Sequence, residues 1–324
     1  MNTILRSIIA LSLFLVFISY DQPVMASDQK AVLVTGASTG IGREIAETLA
    51  RDGYFVYAGA RKQKDLDALN AIDNIQAVRL DVTVQEEINA AVETIRDGGK
   101  GLHGLINNAG IYIGGPLIEV AVDEVQWLMD VNVYGVIRVT QAFAPMIIES
   151  KGRISTIGSI SGILSGRFSG PYSMSKHAIE AYTDSLATEM AKFDVHVSVI
   201  EPGNYDSAIA DTALARMSDD DYFDEDSYYA EEMKEWFSRP WDRSQYKGPE
   251  EVAEAAVDAM FGDSPVRRYM VVPSEEEAGW TIDKAIEELV QLNEWQAYSY
   301  TREQLIEKLD AAMAPPAPSA EDGE

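Results

Sequence analysis

The chain has 324 residues, 46% hydrophobic and 24% charged, with no cysteine and a formal net charge of −27. This length lies near the roughly 250–300 residues that one hydrophobic core sustains, so a single main domain with appendages is expected. The lack of cysteine excludes disulfides, thiolate metal sites and cysteine nucleophiles. The charge is unevenly placed: 30 acids and 10 bases follow Gly203, so −20 of the −27 lies there. Such a surface repels phosphate backbones and anionic headgroups, so no nucleic-acid partner is expected. A solvated acidic face explains the charge, with recruitment of a cationic partner as the alternative.

The N-terminus carries Arg6 and then a short apolar run from Ile8 to Tyr20, turning polar at Asp21-Gln22-Pro23 before Val24-Met25-Ala26. A spanning helix needs about 20 apolar residues. The run is shorter, and residues 1–26 are read as a signal peptide for an exported protein. The alternative is an uncleaved membrane anchor, which would give membrane association through the N-terminus.

From Lys30 onward, strand and helix patterns alternate. The segment Ala31 to Thr35 is a β-branched run ending in glycines, followed by helical spacing through Ile45, Leu49 and Ala50. Strands are predicted at Phe55–Ala60, Ala77–Leu80 and Leu102–Ile106, with a helix face at Ile88, Ala91, Val92 and Ile95. A long helix is predicted around Val125–Ile148, a strand at Arg153–Ile157, a helix from Ser173 to Met190, and a strand at Val195–Ile200. Repeated β-α alternation predicts a doubly wound parallel sheet of the Rossmann type, over about residues 28–275, with its ligand crevice at the carboxyl ends of the strands.

After Gly203 the rhythm fails. Residues 204–247 are acidic and rich in aromatics, among them Tyr205, Tyr229 and Trp236. A helix through Met260, a final strand at Arg267–Val272, and helices at about 280–295 and 301–313 follow, so 276–314 is read as a helical extension. The Pro-rich, acidic segment 315–324 is expected to be disordered. The sequence leaves homo-oligomer formation open.

Two clusters carry chemistry. The first strand runs into Gly36, Ser38, Thr39, Gly40, Ile41 and Gly42 and then a helix, which lets backbone N–H groups approach a pyrophosphate at the helix N-terminus. The second is Tyr172 and Lys176, four apart on one helical face, where an ammonium can lower a phenol from its free value near ~10 toward working pH. A general acid/base acts best when its pKa lies close to the operating pH. His103, His177 and His196 show no ligand spacing, and no metal is expected.

The glycine spacing, with Leu80-Asp81-Val82, Asn107-Asn108-Ala109-Gly110, Tyr172-Ser173-Met174-Ser175-Lys176 and Pro202-Gly203 in order, resembles the short-chain dehydrogenase/reductase family over about residues 30–273. The resemblance implies a nicotinamide-dependent oxidoreductase with a tetrad of Asn132, Ser159, Tyr172 and Lys176. Ser159 lies 13 residues before Tyr172, with Ser161 the competing candidate. It also implies that Asp81 and Val82 meet the adenine, that Asn108, Ala109 and Gly110 line the cofactor, that Lys176 binds the nicotinamide ribose, and that Pro202 and Gly203 meet the nicotinamide.

The second strand ends in Arg61-Lys62 with no acid, which favours NADP over NAD. Thr39 departs from this, since many NADP-preferring relatives carry a base there. Tyr205-Asp206-Ser207 lacks the usual threonine, leaving Ser207 to replace its amide contact. The sequence around Tyr172 looks closest to the hydroxysteroid and retinol dehydrogenase branch, and 204–247 falls where relatives carry a substrate lid. A small hydrophobic alcohol or carbonyl substrate is therefore expected. The rivals are a non-catalytic NADP-sensing or scaffold protein on the same fold, and an epimerase or dehydratase of the extended branch.

Overall fold

The computed structural model describes residues 29–210, 213, 216, 226–238 and 245–314. The expected signal peptide and C-terminal tail lie outside the described residues, as does part of the expected lid.

Seven parallel strands form one sheet in the order β3-β2-β1-β4-β5-β6-β7. They are β1 Ala31–Val34, β2 Phe55–Ala60, β3 Ile75–Arg79, β4 Gly104–Asn107, β5 Arg153–Ile157, β6 His196–Pro202 and β7 Arg268–Val271. The first half winds outward from β1 to β3 and the second from β4 to β7. The winding therefore reverses between β1 and β4, whose carboxyl ends border a crevice.

Side chains on each strand alternate between two cores. Leu33, Tyr57, Leu105, Ile154 and Val197 join one, with Ile88, Ile95 and Phe143 of the covering helices. Val32, Val34, Val56, Ala58 and Ile106 join the other, with Ile45, Leu49, Ala256 and Met260. A sheet covered on both faces needs apolar residues at successive positions, which is why β1 reads Ala-Val-Leu-Val without a polar break.

Helix α1 (Gly40–Arg51) buries Ile45, Ala46 and Leu49, one apolar stripe at helical spacing, and α2 (Gln63–Asn70) and α3 (Gln85–Asp97) follow it. The predicted long helix is longer and not uniform: α4 (Val122–Met129) and α5 (Gly135–Glu149) are joined by a π-helical turn at Asp130–Tyr134. Taken together, Val122–Glu149 is long and apolar enough to span a bilayer, yet Val131, Val139, Phe143 and Ile147 belong to the buried core, so its apolar character reflects packing.

Helix α6 begins at Gly170 rather than Ser173, with Pro171 in its first turn, a place where a missing N–H is harmless. The helix at Gln63–Asn70 between β2 and β3 is an addition to the predicted alternation. Within the expected lid, Ala230–Phe237 is helical, and its Trp236 packs edge-on against Phe168.

The C-terminal extension consists of helices Glu275–Glu294 and Arg302–Met313, the second closed by a Thr301–Gln304 capping box. The extension is tied to the domain. Ser274 caps the first helix by accepting from the Glu277 amide, and the buried Glu277 carboxylate accepts from the Asn204 amide at 2.8 Å.

Candidate active site

At the carboxyl ends of the strands lies a cavity of about 580 Å³. Its cradle is the turn after β1. Gly36 and Gly40 have φ values of +65° and +56°, where a side chain would be strained. A Cβ on Gly36 would lie 2.8 Å from the Ala109 Cα, and one on Gly42 only 2.2 Å from the Asn108 Nδ2. The close approach is held by two residues. Thr35 Oγ1 accepts from the Asn108 and Ala109 amides at 2.9 and 3.0 Å, and Asn108 Nδ2 donates to the carbonyls of Thr35 and Gly36 at 2.9 and 3.1 Å.

The Thr39 side chain makes no cap bond at the start of α1. Ser38, Thr39, Gly40, Ile41 and Gly42 all line the cavity, so the amide-rich helix start faces open space. A cradle of glycines beside an uncapped helix end has the shape and polarity to take a dinucleotide pyrophosphate.

At the far rim, Arg61 and Asp81 line the cavity with their side chains 3.5 Å apart. Burial pulls the Asp81 carboxyl upward, but bonds from the Thr83 amide and hydroxyl, together with the Arg61 charge, hold it below the ordinary carboxylate range. Val82, Asn108, Ala109, Gly110, Pro202 and Gly203 also face the cavity. Lys62 is outside the lining and sits at the N-terminus of the next helix.

At the opposite end, Ser159, Tyr172 and Lys176 line the same cavity. Lys176 is buried, its Nζ donates to the Ile157 carbonyl at 2.8 Å, and it lies 5.6 Å from the centre of the Tyr172 ring. Burial pushes its amine down to about 8, against the upward pull of Glu180 one turn along α6. The Ser159 hydroxyl accepts from the Ser161 amide at 3.1 Å and lies 3.5 Å from the Pro202 carbonyl. Ser161 lines the cavity too, but its amide is used to orient Ser159.

Asn132 is placed differently. It is buried behind the cavity wall, inside the π-helical turn, a local widening often found at functional positions. Its Oδ1 accepts from the Ile111 amide and its Nδ2 donates to the Ile111 carbonyl, both at 2.9 Å; Nδ2 also reaches Ser175 Oγ at 3.1 Å. Ser175 in turn donates to the Tyr172 carbonyl at 2.7 Å, so Asn132 joins the loop after β4 to the first turn of α6.

Several wall residues were not singled out by the sequence. Tyr112 packs against the Tyr172 ring at 4.9 Å, and its hydroxyl pairs with Ser169 at 2.8 Å. Leu164 and Trp280 line the cavity together with Trp236. Trp280 belongs to the C-terminal extension, where no motif marks it as part of a site. Tyr112 follows the Asn107–Gly110 element by two residues, which is the one signal that could have flagged it. The histidines are elsewhere: His177 bonds the Ser173 carbonyl, His196 the Val266 carbonyl, and His103 is stacked on Phe261 with burial pushing it down to about 4.

A parallel sheet with a glycine turn at its winding reversal defines a dinucleotide-binding α/β protein. The chain belongs to the short-chain dehydrogenase family, whose family model matches residues 30–217. Over 207 residues it is 37% identical to the mitochondrial D-beta-hydroxybutyrate dehydrogenase of Mus musculus, a match covering 60% of this chain and 59% of that enzyme. It is 34% identical over 214 residues to retinol dehydrogenase 16 of Mus musculus, covering 64% of this chain and 67% of that one. Among solved structures, a short-chain dehydrogenase/reductase from Burkholderia phymatum in complex with NAD superposes with a TM-score of 0.69 at 25% identity, covering 84% of this chain and 99% of the other. The matched stretch thus spans less than two thirds of the length of the hydroxybutyrate dehydrogenase.

Proposed function

We propose that the protein is an NAD(P)-dependent oxidoreductase that interconverts an alcohol and its ketone or aldehyde, acting on a hydrophobic substrate and preferring NADP. One observation carries this reading: Tyr172, Lys176 and Ser159 share a single cavity with the glycine cradle. A bound nicotinamide supplies the hydride acceptor or donor.

The chain's own groups do the rest. Ser159 donates a hydrogen bond to the substrate oxygen, with its hydroxyl set by the Ser161 amide. Tyr172 takes the hydroxyl proton in oxidation and returns it in reduction. The Lys176 ammonium, 5.6 Å from the centre of the Tyr172 ring, favours the phenolate over the phenol. Asn132 keeps the Ile111 loop and the first turn of α6 in register.

Hydrophobic substrates are favoured by the wall of Tyr112, Leu164, Trp236 and Trp280. The relatives named as acting on retinol and hydroxybutyrate differ widely in substrate size, so this reading rests on the lining of the wall. NADP is favoured by Arg61, which lines the cavity where the second strand ends without an acid. A screen of hydrophobic alcohols and ketones with both cofactors, followed at the absorbance of the reduced nicotinamide, tests the proposal. Turnover of bulky apolar substrates is expected. Tight cofactor binding with no turnover across the screen would instead mark a sensor or scaffold on the same fold.

Residues 1–26, read as a signal peptide or anchor, bear on where the enzyme meets its cofactor. N-terminal sequencing of mature protein from fractionated cells decides between cleavage and anchoring.

A further inference from the structure

Behind the cavity, on the face of the sheet covered by α6, lie two carboxyls that the reaction outlined above does not use. Glu180 is one helical turn after Lys176, and Glu201 immediately precedes Pro202-Gly203 at the end of β6. Glu201 is 2% exposed and the Glu180 side chain 13% exposed. Arg268 Nε lies within 4 Å of both carboxyls, which gathers them into one cluster. Glu180 Oε1 and Glu201 Oε1 are both buried without a hydrogen-bond donor among the described residues.

Two buried carboxylates gathered at one guanidinium disfavour ionisation of both, and a proton on one of them relieves the repulsion. Arg268 of β7 shows which carboxyl keeps the charge. Its Nε lies 3.1 Å from Glu180 Oε2 but 3.6 Å from Glu201 Oε1, too far for a hydrogen bond. Glu180 therefore holds the ion pair and Glu201 the proton.

Glu180 also packs against the backbone of the Ser159 loop from behind. A Cβ on Gly158 or Gly162, the glycines flanking Ser159, would come within 3.2 or 2.9 Å of Glu180 Oε1. Those glycines leave room for the carboxylate directly behind the Ser159 loop.

We propose that Glu180 is a positioning residue for Lys176: a buried counter-charge one helical turn away, paired with Arg268 beside a protonated Glu201, that holds the Lys176 amine in its cationic form. Burial and the neighbouring Glu180 push the Glu201 carboxyl well above the ordinary carboxylate range, the direction that keeps a proton on it. The same Glu180 charge opposes the burial that drives Lys176 downward.

The other charged groups facing the pair are few. From α6 comes Asp184, engaged by Arg268 at 2.8 Å and by Arg267 at 3.8 Å. From β7 come Arg267 and Arg268 themselves. The turn Ile160–Gly162 carries no titratable side chain. Arg153, the titratable residue of β5, pairs in register with His196 at the opposite end of the strands.

This inference rests on the proposed role of Lys176, and its test is independent of turnover. The Lys176 side chain is titrated by NMR in cofactor-free, lysine-labelled protein, its signal assigned from Lys176→Met. In Glu180→Gln the midpoint is expected to fall by about one pH unit or more. Glu201→Gln, which mimics the protonated form, leaves it in place. In Glu180→Gln the Glu201 carboxyl can ionise and compensate, so the double variant E180Q/E201Q moves the midpoint at least as far. An infrared band of a buried protonated carboxyl is expected in the parent at neutral pH and is absent in Glu201→Gln. A Lys176 midpoint unmoved in both E180Q and the double variant overturns the proposal, as does an absent carboxyl band. In either case the oxidoreductase reading stands, because that reading fails only if the substrate screen fails.

Discussion

Asn108 and Gly42 hold the cofactor cradle between them. The Asn108 side-chain nitrogen donates to the carbonyls of Thr35 and Gly36, and a methyl group on Gly42 would fall 2.2 Å from that nitrogen. The same methyl would meet the Gly36 carbonyl at 2.6 Å. Gly42→Ala therefore forces the clamp apart. Overpacking of this kind destabilises by roughly 1–3 kcal/mol, and dinucleotide affinity is expected to fall at least about tenfold, one factor of ten for each ~1.4 kcal/mol. Thermal unfolding and a dinucleotide titration check both; a variant with parental affinity would show that the cradle has another shape when loaded.

Tyr172→Phe removes one hydroxyl and leaves the ring that packs on Tyr112. General acid–base catalysis contributes roughly 10²–10⁴ to rate, so kcat is expected to drop by about that factor while cofactor affinity is kept. Steady-state rates paired with equilibrium cofactor binding separate the two. Full activity in this variant would sink the proposed chemistry.

Lys176 makes stability depend on pH in a defined direction. Its amine falls in the folded state from 10.5 to about 8, chiefly through burial. Between those values the unfolded chain binds more protons, so the folded state gains stability as pH rises through that window. The difference of about 2.5 units corresponds to ~3 kcal/mol at ~1.4 kcal/mol per unit. Lys176→Met abolishes this titration. In cofactor-free protein, the stability of the parent relative to Lys176→Met is expected to rise by ~3 kcal/mol from neutral pH to pH ~10.5. Denaturant titrations across that range check it, and parallel curves would contradict it.

Asn132→Ala strips three buried bonds at once, to the Ile111 amide, the Ile111 carbonyl and Ser175. Leaving a buried backbone group unsatisfied is unfavourable by about 1–3 kcal/mol, so a stability loss of at least that size is expected. Because Ser175 bonds the Tyr172 carbonyl, kcat should fall as well, with cofactor affinity less affected. Unfolding curves and steady-state rates on the same preparation test the pairing of the two effects.

Arg61→Ala is expected to weaken NADP more than NAD. A hydrogen bond to a charged group contributes about 1.5–3 kcal/mol, so the ratio of kcat/KM for NADP over NAD should drop roughly tenfold or more. An unchanged ratio removes Arg61 from cofactor choice and leaves it as a partner of Asp81 alone.

The sheet and the cradle were legible because both depend on local rules. Strand-sized β-branched runs alternate with helical stripes, and glycines must stand wherever backbone meets backbone, as Gly36 meets Ala109. Boundaries were less legible. Helix α6 starts three residues before the sequence indicates, since Gly170-Pro171 reads as a break although proline is well placed in a first turn. The π-helical turn at Asn132 has no local code, because an extra residue per turn follows from the tertiary bonds of Asn132 to Ile111. Trp280 and Glu201 were illegible for a similar reason. Each sits in an ordinary amphipathic or apolar stretch, and only the fold brings one to the cavity and the other to Glu180.

The bond from the Asn204 amide to Glu277 has a practical implication for dissecting the molecule. With Trp280 in the cavity wall, a chain cut before residue 275 would keep the residues of the cradle but lose Trp280 from that wall. Such a shortened protein is expected to bind dinucleotide with altered substrate preference, and exchanging only the segment from Ser274 onward tests whether Trp280 shapes that preference.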